Sequence, residues 1–410
     1  MPSEATKRIG TIIGAVIAAV ICVHYSRAYF SHAMILFALF FLGVLIKEGR
    51  RTVSEVLFET NPPAKIFTLA LPLFYGALFL SAAVNCDIPG LHGAFTHAHL
   101  TIPFFMMYAL GRIGDSGSGI RRGFLLAGYI ICAYAFIAAD ELYEDRMFSF
   151  FDHPNHFGTY LCIFPPFVLL YLYRAKAFWQ KIALGLLAAL LLYCLWRSES
   201  RGAMAALAGS FALTLLTLFP VMQNIRNIWK LLASLLLVAA FLGCGFFAVS
   251  QITEERMQRP DVITEQTLIA SRTGGERLLM WQASIKMWED HKLCGVGIVN
   301  WEKAYYSETY HPEEGTETGL NMPHDIPLEI LSTAGLIGAA GYAAFLILSF
   351  GALYKSMKYA SDPLFTAAAI AASFAIFLQG LVDTAILNAI PGRIYFGLMG
   401  YYFSCYRKPL

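Results

Sequence analysis

An all-α, polytopic integral membrane protein is the fold class this sequence predicts, and three observations predict it. Hydrophobic residues fill 57% of the 410 positions and charged residues only 14%, against roughly 25% charged in a soluble domain. The apolar residues come in long continuous runs, not in the short alternating segments of a barrel. The polar residues gather in one long stretch, about Gln251 to Pro327, and in short segments between the runs. A soluble chain could not hide that much apolar surface. A bilayer can, and within it only helices or closed barrels satisfy their own backbone hydrogen bonds.

Taken in order, the runs 9–23, 29–46, 65–84, 94–111, 123–140, 156–173, 180–196, 202–219, 229–249, 329–352, 363–381 and 390–406 predict about twelve transmembrane helices. Several are shorter than the about 20 residues a perpendicular helix needs, and helix ends reaching into the headgroup region supply the rest. Lys7 and Arg8 precede the first run, but no small-residue cleavage site follows it, so it reads as a helix and not a signal peptide. With the N-terminus cytoplasmic, the short inside segments hold 18 of the 30 Lys and Arg residues, the short outside segments 5 and the long loop 7. The positive-inside rule then puts both termini in the cytoplasm and the long loop outside.

One membrane domain over 1–410 is expected, without a soluble appendage. The long external loop, 250–328, has a pattern of its own. Leu278, Trp281, Ile285 and Trp288 recur at helical spacing and predict a short amphipathic helix over about 276–290, lying on the membrane surface or over the bundle. Cys294-Gly295-Val296-Gly297 ends it, and Ser307 to Asn321 reads as polar loop. The eight cysteines are scattered, with no CxxC and no Cys/His spacing for zinc. Most act as small apolar residues; Cys86 and Cys294 could both be external, which leaves a disulfide between them open. No basic stripe with interleaved aromatics supports nucleic-acid binding.

Chemistry is expected where the loop meets the membrane, on reactants whose head groups lie at the outer surface. A lipid diphosphate needs cationic donors, and arginine offers paired contacts to phosphate. Three arginines sit near that surface. Arg201 opens the eighth run, Arg277 opens the loop helix, and Arg393 opens the twelfth run. Arg201 would otherwise be a snorkelling anchor. Arg277 at a helix N-terminus would be reconciled with the dipole by a bound phosphate. Arg393 could simply cap its helix or pair with Asp383, and Arg272 reads as a solvated loop residue.

His324, in Met322-Pro323-His324-Asp325, is the candidate general base, since neutral imidazole can take a proton from a sugar hydroxyl near pH 7. Its bland reading is a helix-capping histidine. Asp325 is a candidate to orient it, although adjacent helical residues do not face each other. His153 and His156 are the nearest competitors, and a metal site there would need further ligands. Asp140, Glu141, Glu144 and Asp145 read as a solvated loop, with an acceptor-sugar contact as the sharper alternative. Asp383 is costly at its position unless paired, and Arg393 or Arg201 are the expected partners.

Four elements in order resemble the O-antigen ligase superfamily. Ser200-Arg201-Gly202-Ala203 is similar to its Ser/Thr-Arg-x-Ala at the start of a span. Gly275-Glu276-Arg277-Leu278-x-x-Trp281 is similar to its Gly-x-Arg-x-x-x-Trp/Tyr loop helix. Lys292-Leu293-Cys294-Gly295-Val296-Gly297 resembles its Pro-hx-Gly-hx-Gly turn (h apolar), with the proline absent here. His324-Asp325-x-x-Leu328 through Gly335-Leu336-Ile337-Gly338 resembles its His-Asn-x-x-Leu signature, with Asp325 where asparagine is commoner. The resemblance covers about residues 190–350.

The resemblance implies a GT-C-like fold and a metal-independent, inverting glycosyltransferase that needs no cofactor. It implies an undecaprenyl-diphosphate-linked glycan donor on the periplasmic face of the bacterial inner membrane, with the active site periplasmic. His324 would be the catalytic base, Arg201 and Arg277 would bind the donor diphosphate, and Asp325, Asp383 and Arg393 would support them. Ligation to a lipid A-core sugar is the expected reaction. Polymerisation of lipid-linked repeats or transfer to a protein hydroxyl are the alternatives within the superfamily. Outside it, a twelve-span transporter of lipid-linked sugar would place polar groups near the membrane midplane, whereas here they gather at one face.

Overall fold

A computed structural model of the chain describes residues 3–23, 27–49, 61–113, 117–137, 146–218, 265–313, 315, 318–359 and 362–406. Every regular element among them is helical. In chain order these are α1 (Glu4–Val23), α2 (Arg27–Glu48), α3 (Pro62–Val84), α4 (Ile88–Ala98), α5 (Ile102–Ile113), α6 (Gly117–Ala135), α7 (Pro154–Ile163), α8 (Pro165–Arg174), α9 (Phe178–Arg197) and α10 (Arg201–Leu218). Then come α11 (Glu265–Asp290), α12 (Trp301–Tyr305), α13 (Ile326–Tyr359), α14 (Pro363–Gln379) and α15 (Ala389–Cys405).

Among the described residues, six segments are long and apolar enough to cross a membrane: Glu4–Val23, Ser31–Glu48, Pro62–Val84, Pro154–Arg174, Phe178–Arg197 and Ile326–Met357. Their outward faces are those of a multi-pass membrane protein. Ile12, Leu39, Leu80, Ile182 and Ile347 are all more than half exposed, an apolar belt that a soluble surface does not carry.

The apolar runs read from the sequence fall on these helices, apart from 229–249, which lies outside the described residues. Two runs are not single rods. The run 94–111 is split into α4, a 3-10 turn at His99–Thr101 and α5. The run 156–173 breaks at Phe164, because Pro165 and Pro166 cannot supply backbone donors to the preceding turn. Cys86 and Cys294 are both free thiols, so the open disulfide is not formed.

Helix starts are made by the residues that the physics of capping demands. Asn61 accepts from Ala64 N at 3.0 Å ahead of Pro62 and Pro63, and its amide donates to Phe403 O at 2.7 Å, tying α3 to α15. Asp362 does the same for α14, accepting from Phe365 N at 3.0 Å ahead of Pro363. Small residues let helices touch where no hydrophobic force drives them together. A Cβ on Gly119 or Gly123 of α6 would sit 2.1 or 2.2 Å from the Thr11 or Ala15 carbonyl oxygen of α1. Phe67 lies between Phe104 and Phe403 at ring separations of 5.0 and 5.1 Å, a contact worth about 0.5–1.5 kcal/mol per pair beyond burial.

The helix α13 is broken at Gly335, whose φ of 62° and ψ of −157° no side-chain-bearing residue adopts readily. The backbone groups freed there are met by the 292–297 turn. Val296 N donates to Ser332 O at 2.8 Å and Gly297 N to Thr333 O at 3.0 Å. In return Leu336 N donates to Lys292 O at 2.9 Å and Ile337 N to Leu293 O at 3.2 Å. The turn itself hangs from the end of α3, where Ser81 Oγ and Asn85 Nδ2 donate to Cys294 O at 2.9 and 3.0 Å. Irregular backbone survives here because its freed donors and acceptors are met by other protein groups.

The loop helix is longer than expected. It starts at Glu265 and takes in Arg272 and the Gly274-Gly275 pair. Its buried face is Glu276, Met280, Ala283, Ser284 and Met287, while Leu278 and Ile285 are exposed at 54% and 41%. The buried face packs on Trp301 and Tyr305 of α12, and Trp301 Nε1 donates to Ser284 Oγ at 2.9 Å. α12 thus covers the methionine stripe, and Trp281 and Trp288 beside it are half-buried.

Candidate active site

One end of the bundle gathers the starts of α7, α10, α13 and α15 and the end of α14. At its centre His324 precedes α13 with φ at 54°, a left-handed residue at the bend where the chain enters the helix. Three contacts hold the bend. Trp281 Nε1 of α11 donates to Pro323 O at 3.0 Å. Ile326 N donates to Gly380 O at 2.8 Å, joining α13 to the segment after α14. Asp325 caps α13 by accepting from Leu328 N at 2.8 Å. Asp325 is therefore a capping residue, not the group that orients the imidazole. Burial pushes its carboxyl above the usual range, partly offset by the Leu328 N–H.

The partner of His324 is Asp383, through Nδ1 and Oδ1 at 3.3 Å. Asp383 sits in the turn between α14 and α15, where Thr384 N donates to the same oxygen at 2.7 Å. Its side chain is 2% exposed and that of His324 27%. Burial by itself would raise the Asp383 carboxyl. The His324 hydrogen bond and charge, the charge of His156 and the Thr384 N–H outweigh burial and hold it at about 2. The ionised carboxylate only accepts, so the Nδ1 facing it is the protonated nitrogen, and in the neutral tautomer that leaves the lone pair on Nε2. The expected partners of Asp383, Arg393 and Arg201, do not pair with it. Arg393 is buried at 6% exposure within α15.

The neighbouring histidines join this cluster. His153 caps α7, its Nδ1 accepting from Asn155 N at 3.1 Å. Burial, then the charges of His156, Arg146 and His324, push its pKa down to about 4 against the opposing charge of Asp383. His156 Nδ1 lies 2.5 Å from Asp152 Oδ1, and Asn388 Nδ2 lies 3.1 Å from either ring nitrogen. The carboxyl of Asp152 is held below its ordinary value: burial opposes this, but the bond to His156 prevails. Arg146 closes the edge, donating from Nε to Ser198 O at 2.9 Å and from Nη2 to Asn155 Oδ1 at 3.1 Å.

Sequence reasoning missed Arg146, Asp152, Asn155 and Asn388 as parts of this end. The only available signal was the i, i+4 spacing of Asp152 and His156. The acidic group Asp140, Glu141, Glu144 and Asp145 lies outside the described residues. No group of three or more His, Cys, Asp or Glu able to hold a metal ion occurs among the described residues.

Arg201 is the exposed first residue of α10, after a turn in which Glu199 has φ at 52°. Its neighbours explain the local sequence. Ser200 packs on Gly158 of α7, where a Cβ would meet Ser200 Cβ at 2.6 Å. Gly202 faces Val382 and Gln379, where a Cβ would meet Val382 Cγ2 at 2.6 Å. The first turn of α10 is thus wedged against the segment that carries Asp383, leaving the guanidinium outward. Arg277 is partly exposed on α11, one turn before Trp281, and is interior to that helix, not at its N-terminus. The dipole argument for a phosphate at Arg277 therefore falls. The structure brings His324 and Asp383 into contact and places Arg201 beside the Asp383 segment; Arg277 lies on α11, whose Trp281 donates to Pro323 O next to His324.

Residues 186–343, from the middle of α9 into α13, match the family model described as O-antigen ligase. This segment holds Arg201, Arg277 and His324. No curated protein matches the chain.

Proposed function

We propose that this protein is an O-antigen ligase, joining a glycan from undecaprenyl diphosphate to a sugar hydroxyl of the lipid A-core. The observation that carries the reading is the His324–Asp383 pair, half open at the end of the bundle where the family-matched segment begins α10 and α13. In this reading the chain crosses the bacterial inner membrane about twelve times with both termini cytoplasmic, and this end faces the periplasm. The whole of 1–410 is one membrane domain, and 250–328 is its periplasmic loop.

The chemistry follows from the geometry. Asp383 fixes the imidazole with Nδ1–H toward the carboxylate, so Nε2 is free to accept the proton of the acceptor hydroxyl. The acceptor oxygen attacks the anomeric carbon as the bond to the diphosphate breaks, inverting that centre. Negative charge then grows on the leaving diphosphate. Arg201, exposed at the N-terminus of α10, is placed to meet it together with the positive end of the helix. Arg277 supplies a second guanidinium from α11. Asp325 supports the site by capping α13, and Arg393 by its buried charge in α15.

Transfer in proteoliposomes tests the reading. Undecaprenyl-diphosphate glycan and lipid A-core are supplied with a chelator, and wild type is compared with His324→Ala, Arg201→Ala and Arg277→Ala. Glycan on lipid A-core, lost in the variants, is the expected result. Longer lipid-linked chains without lipid A product would make the protein a polymerase, and movement of donor across the vesicle without joining would make it a transporter.

A further inference from the structure

At the end of the bundle away from His324, α2, α3 and α5 enclose a recess of about 510 Å³. It is lined by Phe37 and Phe41 of α2, Lys65, Leu69 and Pro72 of α3, and Phe105 of α5. That volume is within the roughly 300–1,000 Å³ of small-ligand sites. Leu69 and Phe105 stand 55% and 43% exposed, so the recess is open to whatever surrounds the bundle. At that depth the surroundings of a multi-pass protein are lipid chains. Its walls are aromatic and aliphatic, and Lys65, exposed one turn into α3, is the charged group on its lining.

The position sets the leaflet. The other end of α3, Ser81 to Asn85, holds the Cys294–Gly295 turn beside the site. Lys65 is near the opposite end of the same helix, with Lys47 and Arg112 at the matching ends of α2 and α5. An apolar recess with a cation at headgroup level favours one kind of molecule: a hydrocarbon chain attached to a phosphate. The diphosphate head of a glycan donor belongs at the other end, so the donor is not the occupant that Lys65 selects.

We propose that this recess is a binding site for one acyl chain of an anionic glycerophospholipid in the leaflet opposite His324, with Lys65 pairing to its phosphate. The choice of a glycerophospholipid over a polyprenyl donor rests on the proposed transferase reading, and the test reads lipid and not glycan.

The full chain, purified in detergent and stripped of lipid, is offered equal amounts of phosphatidylglycerol and phosphatidylethanolamine with identical chains, and retained lipid is counted by native mass spectrometry. One retained phosphatidylglycerol is expected, preferred about five-fold, the equivalent of the ~1 kcal/mol that one lysine contributes near an anionic membrane surface. Lys65→Glu is expected to abolish the preference and Lys65→Arg to keep it. Leu69→Trp, which fills the recess, is expected to remove retained lipid of both kinds. Equal retention of the two lipids by wild type would overturn the proposal. So would a preference that survives Lys65→Glu, or displacement of phosphatidylglycerol by an undecaprenyl phosphate. Lys65→Glu is on the exposed surface, so it remains informative if Leu69→Trp fails to fold.

Discussion

Replacing Asp383 with asparagine tests the central pair most sharply. The substitution keeps size and shape but removes the charge that His324 and Thr384 N–H meet. The carboxyl is held at about 2 in place of its ordinary 3.8, which corresponds to roughly 2 kcal/mol of net favourable interaction in the ionised form. A 2 kcal/mol loss is about 30-fold in rate if it is felt wholly in the transition state. The asparagine amide can also turn its NH₂ toward Nδ1. That moves the ring proton to Nε2, which then cannot accept one from the acceptor. General-base catalysis is worth about 10²–10⁴-fold, so kcat is expected to fall about 10²–10³-fold with donor KM little changed. The assay is initial transfer rate in proteoliposomes against donor and acceptor concentration, with detergent-solubilised protein checked for monodispersity. An unchanged kcat would refute the reasoning, as would a loss confined to donor KM.

The same shift makes a stability prediction. The folded value of Asp383 lies below its ordinary one. Its contribution is therefore fully present above about pH 4 and is lost as pH falls through about 2. Asp383→Asn is expected to remove that part of the acid dependence of thermal unfolding.

Three further substitutions probe the parts that position the site. Gly335→Ala forces a side chain into φ 62° with its Cβ 2.4 Å from the Leu293 carbonyl carbon; a loss of about 3 kcal/mol or more is expected, read as reduced thermal stability or failed assembly. Trp281→Phe removes the indole donor to Pro323 O; about 1 kcal/mol of support for the His324 bend is lost, read as a several-fold drop in kcat without global unfolding. Arg201→Lys keeps the charge but loses the paired donors, and is expected to raise donor KM or lower kcat about ten-fold or more, a loss that full activity in the lysine variant would contradict.

Much of this protein was legible in one dimension because a bilayer imposes one-dimensional rules. A helix that must satisfy its own backbone writes itself as an apolar run, and proline breaks such as Pro165-Pro166 are local as well. Arg201 and His324 stood out as polar residues beside apolar runs. The chemical promise of Arg201 and His324 could thus be read without contacts.

Pairing could not be read that way. Asp383 is 59 residues from His324, and both had nearer partners on paper, Asp325 for the histidine and Arg393 for the aspartate. Packing of α13 against the end of α14, through the Ile326–Gly380 hydrogen bond, decided otherwise. The facing of α11 was also a tertiary matter, because two apolar stripes lay on one helix and α12 chose the methionine stripe. The glycine pairs of the 292–297 turn and α13 look like flexible punctuation in the sequence. Only in three dimensions are they one joint, in which a broken helix and a turn exchange backbone hydrogen bonds. The sequence by itself determined which segments are helical and which end of the bundle is polar, since both follow from local transfer between water and lipid. Which polar groups meet was decided by helix packing, because contact between distant residues depends on how whole helices seat against one another.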